Sequence, residues 1–344
     1  MKCVAIMLLS ELAVQAANYE ATKAVVEGVE VVRLADASHR TEVSIAVSIG
    51  NIAYEMKVNG KNILFVPFHT LGEFKDQPTL AGNPLLAPWA NRIDQLGYYA
   101  NGKKYLLNPE LKNLVFLYEG GIPNHGLVAF SPNWKIAKLG ADNRSAWTTS
   151  RLEYWKYPEL MAQFPFAHTL EMTYRLAGGV LEVETAIENN SAEPMPVAIG
   201  YHTYYQLDDA PREQWRVHVP AKEHLTVSKK LLPTGESRPM DLADPLTLAD
   251  VHLDDLFTGL IRGTDGRAEF SVQGEKQKIS VYYGPKYTAA VVYAPRGRSF
   301  ICFEPMAAIT NAFNLAHSGA YKELQSIPPG GQWRESFWIA PSGF

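Results

Sequence analysis

The first candidate for chemistry in this sequence is a glutamate at the end of a predicted strand. Residues 299–305 alternate as in a β-strand, and Pro305, which lacks a backbone donor, should end the strand at about that point. Phe300, Cys302 and Glu304 would then share one face. A carboxylate with apolar neighbours on its own face is partly desolvated, which makes Glu304 a candidate general base. An exposed strand-end glutamate is the simpler interpretation of this segment alone.

Two loops carry further candidates. Arg92, preceded by Asn91, ends the proline-stiffened loop 82–93, and the planar donors of an arginine suit substrate hydroxyl groups. The alternative is a surface arginine that caps a turn. His125 lies in the glycine-rich segment 120–126, where an imidazole is accessible and titrates near neutral pH. A turn histidine held by the backbone is an equally good interpretation.

A third candidate, His202, follows the apolar run 195–199 and should lie at the end of a buried strand. A histidine in such a position is often a core residue with a polar partner. Here three tyrosines surround it, and aromatic rings can stack on a sugar ring or frame a pocket. These are Tyr201, Tyr204 and Tyr205.

Asp254 and Asp255 form an adjacent pair of carboxylates before the apolar residues 256–257. Because neighbouring residues of a strand face opposite sides, only one of the two would point inward. A helix N-cap or an Asx turn is the simpler explanation of this acidic pair. The choice between the two aspartates depends on the register of the segment.

Composition and missing motifs narrow the class of protein. The chain has 344 residues, of which 47% are hydrophobic and 20% are charged, and its formal net charge is −4. It has no basic stripe, which argues against nucleic acid or a membrane as a partner. Neither Cys3 nor Cys302 belongs to a metal-binding or disulfide pattern. Phosphate-loop, dinucleotide, serine-hydrolase and HExxH motifs are also missing, so neither a cofactor nor a metal is expected.

The N-terminus, residues 1–18, allows two interpretations. Lys2, the apolar run 3–9 and small residues at positions 13, 16 and 17 resemble a short signal peptide with a cleavage site. Glu11 interrupts that pattern, and a frayed or helical N-terminal tail is the equal alternative. The chain would be periplasmic or secreted if residues 1–16 are cleaved, and cytoplasmic otherwise. Residues 19–344 are expected to form a single catalytic domain.

The elements that must position these residues are predicted to be strands. Period-two alternation is clear from residue 41 and recurs along the chain, whereas long helical periodicity is almost absent. Residues 63–68 would be the return strand of the first of three hairpins. The hairpin turn signals are Asn59-Gly60, Asn101-Gly102 and Gly178-Gly179. Many short strands punctuated by glycine, proline and asparagine predict an all-β sandwich or barrel.

Five short motifs, taken in order and spacing, resemble the aldose 1-epimerase (galactose mutarotase) family. They are Asn91-Arg92-Ile93, His125-Gly126, Gly200-Tyr201-His202, Asp254 before Phe257, and Phe303-Glu304-Pro305-Met306. Each is weak alone, but the similarity extends from about residue 40 to the C-terminus. One departure follows His202, where the family usually has Pro-Tyr-Phe and this chain has Thr203-Tyr204-Tyr205. The departure leaves the imidazole in place but places the conformation of the loop in question.

The resemblance implies a large antiparallel β-supersandwich in a single domain, with an open sugar cleft and no cofactor. It implies that Glu304 is the catalytic base and His202 the acid. His125 would assist near the ring oxygen, while substrate hydroxyls would be held by Arg92, Asp254 and Asn91. The spacing to Phe257 favours Asp254 over Asp255 as the cleft carboxylate.

The implied activity is the interconversion of the α and β anomers of free aldohexoses such as glucose or galactose, by a monomer or homodimer. Ring opening needs a base that takes the C1 hydroxyl proton and an acid that protonates the ring oxygen. Unperturbed pKa values of about 4.3 for glutamate and about 6.5 for histidine lie low enough to be tuned toward neutrality.

Three alternatives remain open at this point. A hexose-6-phosphate 1-epimerase needs extra cations for the phosphate. Arg296 and Arg298 should lie at the opposite end of the strand from Glu304, but lysines and arginines of distant loops could serve. A glycosidase needs two carboxylates that flank a glycosidic bond, which would leave His202 without a role. A non-catalytic carbohydrate-binding protein would bind sugar without accelerating its mutarotation.

Overall fold

The structure of the chain is a computed structural model that describes residues 12–16, 18–117 and 121–344. Most of the segment predicted to be a signal peptide or tail lies outside the described residues. Within the described part, strands predominate, as the alternation predicted, and the longest α-helix has 7 residues. The all-β prediction is therefore confirmed.

The strands are short and numerous in the described part of the chain. In chain order they are β1 (Leu12–Ala16), β2 (Tyr19–Val26), β3 (Val29–Asp36), β4 (Thr41–Ala46), β5 (Ile52–Val58), β6 (Lys61–Asn62), β7 (Leu85–Leu86), β8 (Gly97–Ala100), β9 (Lys103–Leu106), β10 (Val115–Leu117), β11 (Ile122–Asn124), β12 (Lys135–Ala141), β13 (Ala146–Glu153), β14 (His168–Ala177), β15 (Val180–Asn189), β16 (Met195–Val197), β17 (Gly200–Tyr201), β18 (Thr203–Tyr205), β19 (Arg216–His218), β20 (Ala221–Val227), β21 (Pro233–Pro239), β22 (Leu246–Thr247), β23 (Leu253–Leu260), β24 (Ala268–Gln273), β25 (Lys278–Tyr283), β26 (Ala289–Ala294), β27 (Ile301–Met306), β28 (Gln325–Ile327) and β29 (Gln332–Ser342). The helices are α1 (Leu71–Asp76), α2 (Pro158–Met161) and α3 (Ala312–Ser318), with 3-10 turns at Pro109–Leu111, Tyr154–Lys156 and Arg212–Gln214.

Three antiparallel sheets build the fold. The first has six strands in the order β1-β2-β3-β4-β5-β6, and the second has nine in the order β12-β13-β14-β15-β29-β25-β24-β19-β22. The third has eight strands, ordered β21-β20-β23-β26-β27-β17-β7, with β18 also paired to β27. Two-stranded pairs form between β8 and β9, β10 and β11, and β16 and β28. The sheets stack as the supersandwich that the resemblance implied.

The nine-stranded sheet packs against both of the others. Strands β2 and β3 of the six-stranded sheet contact β12, β13 and β14. On the eight-stranded sheet, Phe303 meets Phe270 of β24 with ring centroids 5.9 Å apart, and Tyr201 meets Phe337 of β29 at 4.8 Å. These rings belong to one large apolar core, so one face of β27 is buried in the sandwich and its other face is left for the site.

The three predicted hairpin turns are confirmed, because each dipeptide has positive φ at both residues and joins paired strands. The predicted return strand 63–68 is wrong, since β6 ends at Asn62. Phe65 donates instead to the Tyr204 carbonyl at 3.0 Å, which carries the chain across to the eight-stranded sheet. The alternation of residues 63–68 could not reveal that the eight-stranded sheet offers this segment an alternative backbone partner.

Strand β27 extends one residue beyond its predicted end. Pro305 lies opposite Ala290, and Met306 still pairs with Ala289 and Gly200. A proline removes only its own donor from a ladder, and pairing on both sides of β27 carries the strand through to Met306. The face shared by Phe300, Cys302 and Glu304 is as the alternation predicted.

Candidate active site

The candidate site lies on the outward face of the eight-stranded sheet. Residues directly opposite one another in an antiparallel sheet share a face, and Asp254, Tyr293, Cys302 and Tyr204 form one such row across four strands. The next row contains Glu304, two residues beyond Cys302 on β27. The register therefore gathers side chains from four segments that are distant in sequence.

Glu304 and His202 are in close contact at the centre of this face. Glu304 Oε1 lies 3.3 Å from His202 Nε2, and both side chains are buried, with 2% and 9% of their surfaces exposed. His202 lies between β17 and β18, and the pairing of Tyr204 with Cys302 places it beside Glu304. This contact places a carboxylate oxygen and an imidazole nitrogen side by side, at a distance that leaves no room for a water between them.

Burial moves the pKa values of these two groups in opposite directions. The loss of solvent raises the pKa of Glu304 well above its usual range, and the nearby Asp254 carboxylate raises it further. Burial lowers the pKa of His202 to about 3, and the positive charge of Arg92 acts in the same direction. These opposite shifts favour a proton on Glu304 over a proton on His202, which is then a neutral imidazole.

Arg92 and His125 are brought together because their two loops pair along the backbone. The His125 N–H donates to the Asn91 carbonyl at 2.9 Å, and Arg92 forms an isolated bridge with Asn124. Asn311 donates its N–H to the Arg92 carbonyl at 3.0 Å and so fixes the other side of the loop. These contacts make the loop a rigid extension of the sheet.

The His125 ring stands close to His202 in an edge-on arrangement. The two ring centroids are 5.4 Å apart and their planes make an angle of 78°. Burial lowers the pKa of His125 well below its usual value, and the neighbouring His202 and Arg92 lower it further. His125 is thus held as a neutral imidazole, which can donate from one ring nitrogen and accept at the other.

Asp254, rather than Asp255, faces the candidate site. Asp254 Oδ2 lies 3.5 Å from Arg92 Nη2, whereas Asp255 points to the opposite face of β23 and binds His224. Asn91 Oδ1 in turn accepts from Arg92 Nη1 at 3.3 Å. The prediction that only one of the two aspartates points inward is confirmed, and both belong to a strand rather than to a helix cap.

Several polar atoms of this cluster are buried without a hydrogen-bond partner among the described residues. They are Glu304 Oε2, His202 Nδ1, His125 Nδ1 and Arg92 Nε. A buried polar atom without a partner costs about 1–3 kcal/mol, so such atoms are seldom concentrated in one place unless a ligand uses them. Their concentration here leaves several hydrogen-bonding atoms available to a polar ligand.

Aromatic rings frame the pair, and the sequence had indicated them only in part. The Tyr204 ring stacks on His202 with centroids 4.7 Å apart, and Tyr293 meets His202 edge-on at 5.9 Å. Tyr293 was missed because it lies in the middle of β26, where alternation alone does not separate cleft from core. Cys302 is fully buried beneath Tyr204, and burial raises the pKa of its thiol well above the usual value, which suits packing rather than nucleophilic attack.

Among the described residues, no group of three or more histidine, cysteine, aspartate or glutamate side chains could hold a metal ion. No helix in the described segments is long and apolar enough to cross a bilayer.

Comparison with known proteins places this fold and site in a class. The family model for aldose 1-epimerase matches residues 31–340. The chain therefore belongs to the aldose 1-epimerase family.

Individual relatives are distant in sequence. The uncharacterized protein YihR of Escherichia coli (strain K12) is 24% identical over 70% of this chain and 74% of its own length. The galactose mutarotase of Homo sapiens is 28% identical over 61% of this chain, and the match spans only 55% of the human protein.

Solved structures share the fold more completely. A galactose mutarotase-like protein from Clostridium acetobutylicum superimposes with a TM-score of 0.83 and 20% identity, covering 96% of this chain and 100% of that one. The galactose 1-epimerase of Lactobacillus acidophilus gives a TM-score of 0.68 at 15% identity, with 98% and 100% coverage. At these identities the likeness establishes the galactose mutarotase-like fold.

Proposed function

We propose that this chain is an aldose 1-epimerase that interconverts the α and β anomers of free aldohexoses such as glucose or galactose. The observation that carries the proposal is the buried contact between Glu304 and His202, with Oε1 and Nε2 3.3 Å apart, beside Arg92 and His125. A base and an acid in contact, with hydroxyl-binding groups around them, are what mutarotation needs.

Glu304 takes the proton of the C1 hydroxyl while His202 donates a proton to the ring oxygen. The C1–O5 bond breaks, C1 becomes an aldehyde carbon, and rotation about the C1–C2 bond presents its other face. Ring closure reverses both transfers. Each opening moves one proton onto Glu304 and one away from His202, so the pair keeps its proton count throughout.

The pair must begin each turnover with its proton on His202. Burial favours the proton on Glu304, and its transfer across the 3.3 Å contact to His202 produces the reactive form. Arg92 lowers the pKa of Glu304 and so opposes the effect of burial. Arg92, Asn91 and Asp254 hold substrate hydroxyls, and His125 donates near the ring oxygen.

A free aldose fits this site better than a sugar phosphate. The Arg92 guanidinium is shared with Asp254, and Arg296 donates to the Asp250 carbonyl. Neither arrangement leaves a dedicated pair of cations for a phosphate group. A hexose-6-phosphate 1-epimerase remains the alternative, and the experiment below includes a sugar phosphate to test it.

Polarimetry tests the proposal. Freshly dissolved α-D-glucose and α-D-galactose should reach their equilibrium rotation faster with catalytic amounts of enzyme than in buffer, and a panel of other aldoses ranks the preference. Glucose 6-phosphate, followed in parallel, would respond instead if the phosphate alternative held. Absence of acceleration on every sugar, with sugar binding retained, would make the chain a carbohydrate-binding protein.

A further inference from the structure

We infer that His224 is a positioning residue that acts through Asp255 on the cleft carboxylate Asp254. The inference rests on the proposed function for its catalytic consequence, but its structural part stands on hydrogen bonds alone. His224 shows no distinguishing context in the sequence, and it lies 31 residues from Asp255 along the chain.

A continuous set of hydrogen bonds joins His224 to the backbone of Asp254. His224 Nε2 lies 2.8 Å from Asp255 Oδ1, and Asp255 Oδ2 accepts the backbone N–H of Asp254 at 3.3 Å. Adjacent residues of β23 face opposite sides of the sheet. The Asp254 carboxylate therefore points to Arg92, while the Asp255 carboxylate binds His224 on the other face. His224 therefore fixes the segment from which Asp254 projects.

The carboxylates around His224 favour its positively charged form. Its Nδ1 lies 2.7 Å from Asp241 Oδ1, so each ring nitrogen faces a carboxylate. Burial would lower the pKa of His224, but the hydrogen bonds to Asp255 and Asp241 outweigh it and raise the pKa above its usual value. Arg238 approaches the same Nδ1 at 3.0 Å and also pairs with Asp241 at 3.2 Å.

The cluster of His224, Asp241 and Asp255 suits a structural role rather than a second binding site. His224 is buried, with 3% of its surface exposed, and its ring packs on Phe257 at 4.7 Å. The Asp254–Arg92 contact that it supports is 3.5 Å long, which is near the limit for an ion pair. A small backbone displacement at Asp254 would therefore break that contact and misplace a group that holds the substrate.

A double-mutant cycle separates positioning from a general structural role. We expect His224→Gln to lower kcat/KM about tenfold, mainly by raising KM, because Asp254 holds hydroxyls in the ground state as well as in the transition state. In an Asp254→Asn background the same substitution should change kcat/KM less than twofold, because its route of action is already removed. Equal effects in both backgrounds would overturn the inference.

His218→Gln is the matched control. His218 of β19 also binds an aspartate, with Nδ1 2.7 Å from Asp244 Oδ1, but no hydrogen bond among the described residues links this exposed pair to Asp254. Its substitution should leave kcat/KM unchanged. Asp255→Asn is the second variant in case His224→Gln fails to fold, and it should show the same dependence on the Asp254 background.

Nuclear magnetic resonance provides a readout that needs no catalysis. The backbone amide resonance of Asp254 should shift in His224→Gln and keep its position in His218→Gln. The reason is that His224, unlike His218, contacts Asp255, whose carboxylate accepts the Asp254 N–H. If the wild type accelerates mutarotation of no sugar, the proposed function fails while the amide shift still tests the positioning. An unmoved Asp254 amide in folded His224→Gln would contradict the inference.

Discussion

Burial acts in opposite directions on the two residues of the central contact. It raises the pKa of Glu304 and lowers that of His202 to about 3. The pH interval in which the pair carries one proton is therefore wider than for the two free side chains. In the proposed mechanism this singly protonated form is the active one, so acid and base come from one shared proton.

This arrangement predicts an unusual acidic limb of the pH–rate profile. The pair takes up a second proton only when His202 becomes charged beside a protonated Glu304, and the pKa of His202 is lowered to about 3. Activity should thus persist well below pH 6.5, the value of an ordinary imidazole. Polarimetry from pH 4 to 9, corrected for buffer catalysis, measures kcat/KM, and an acidic limb centred near 6.5 would contradict the shared-proton account.

At the scale of elements, the site depends on the close approach of loop 82–93 to the segment that contains His125 and Gly126. At Gly126 the two backbones leave no room for a side chain. Gly126 has φ of +67°, and a Cβ at that position would overlap the Ala87 carbonyl and approach that of Trp89. His125 also has positive φ, at 61°, immediately before it. The contact of these backbones is what presents the His125 ring to His202.

Gly126→Ala is expected to lower activity through this contact. The new methyl group meets backbone rather than a movable side chain, so the His125 loop must shift away from His202. We expect a loss of about 10–100-fold in kcat/KM. Gly60→Ala is the matched control, since Gly60 also has positive φ but has open space around it, and it should cost stability without comparable loss of activity.

A second element-scale support is the buried Arg212 of the 3-10 turn Arg212–Gln214. Arg212 donates to the carbonyls of Leu248, Val251 and Ala294 at 2.6–3.0 Å, which ties the segment before Asp254 to the end of β26. Each buried carbonyl that loses its partner costs about 1–3 kcal/mol.

Arg212→Met should therefore lower the free energy of unfolding by about 3 kcal/mol or more. Denaturant titration measures this change, and a change below about 1 kcal/mol would show that water replaces the guanidinium. Arg216→Met, on the exposed side of neighbouring strand β19, serves as the control for loss of positive charge.

At the scale of the whole molecule, the three sheets bury a carboxyl group that would be more stable in water. The folded pKa of Glu304 is raised above its unfolded value, so its protonated form is favoured in the native state. This contribution to stability is complete below pH 4.3 and is lost as pH rises toward the folded pKa. The proposed catalytic base thus destabilises the fold once the pH is high enough to ionise it.

Glu304→Gln should consequently be more stable than the wild type at pH 8 and show no such advantage at pH 4. A neutral amide of similar shape avoids the penalty of a buried charge, and each 1 kcal/mol gained should raise the Tm by about 2 °C in a chain of this size. Thermal unfolding at both pH values measures the difference. A lower Tm for the variant at pH 8 would mean that Glu304 is held as a stabilised carboxylate.

The sequence predicted the strand-rich fold, the three hairpin turns and the face of β27 that carries Glu304, because these follow from local alternation and turn chemistry. It could not predict that the segment after Asn62 leaves its hairpin, since a distant strand competes for its donors. It also did not indicate a role for His224, because the partners of a buried histidine are set by tertiary contacts rather than by neighbours in sequence.

The candidate site was predictable mainly through the resemblance. Alternation showed that Asp254 and Asp255 face opposite sides but could not tell which side is the cleft. The structure answers this by pairing Asp254 with Arg92. Tyr293 is a different case, since it belongs to a strand of otherwise buried apolar residues and only the cross-strand register places it beside His202.

The most direct test of the central claim is the rate of anomer exchange at equilibrium, measured by magnetisation transfer between the α and β H1 resonances of glucose or galactose. Wild-type enzyme should accelerate this exchange in proportion to its concentration. Glu304→Gln and His202→Gln should each lower kcat/KM by about 10²–10⁴, and the double variant should lose little more, because the two residues act as one unit. Exchange that is as fast with Glu304→Gln as with the wild type would contradict the account.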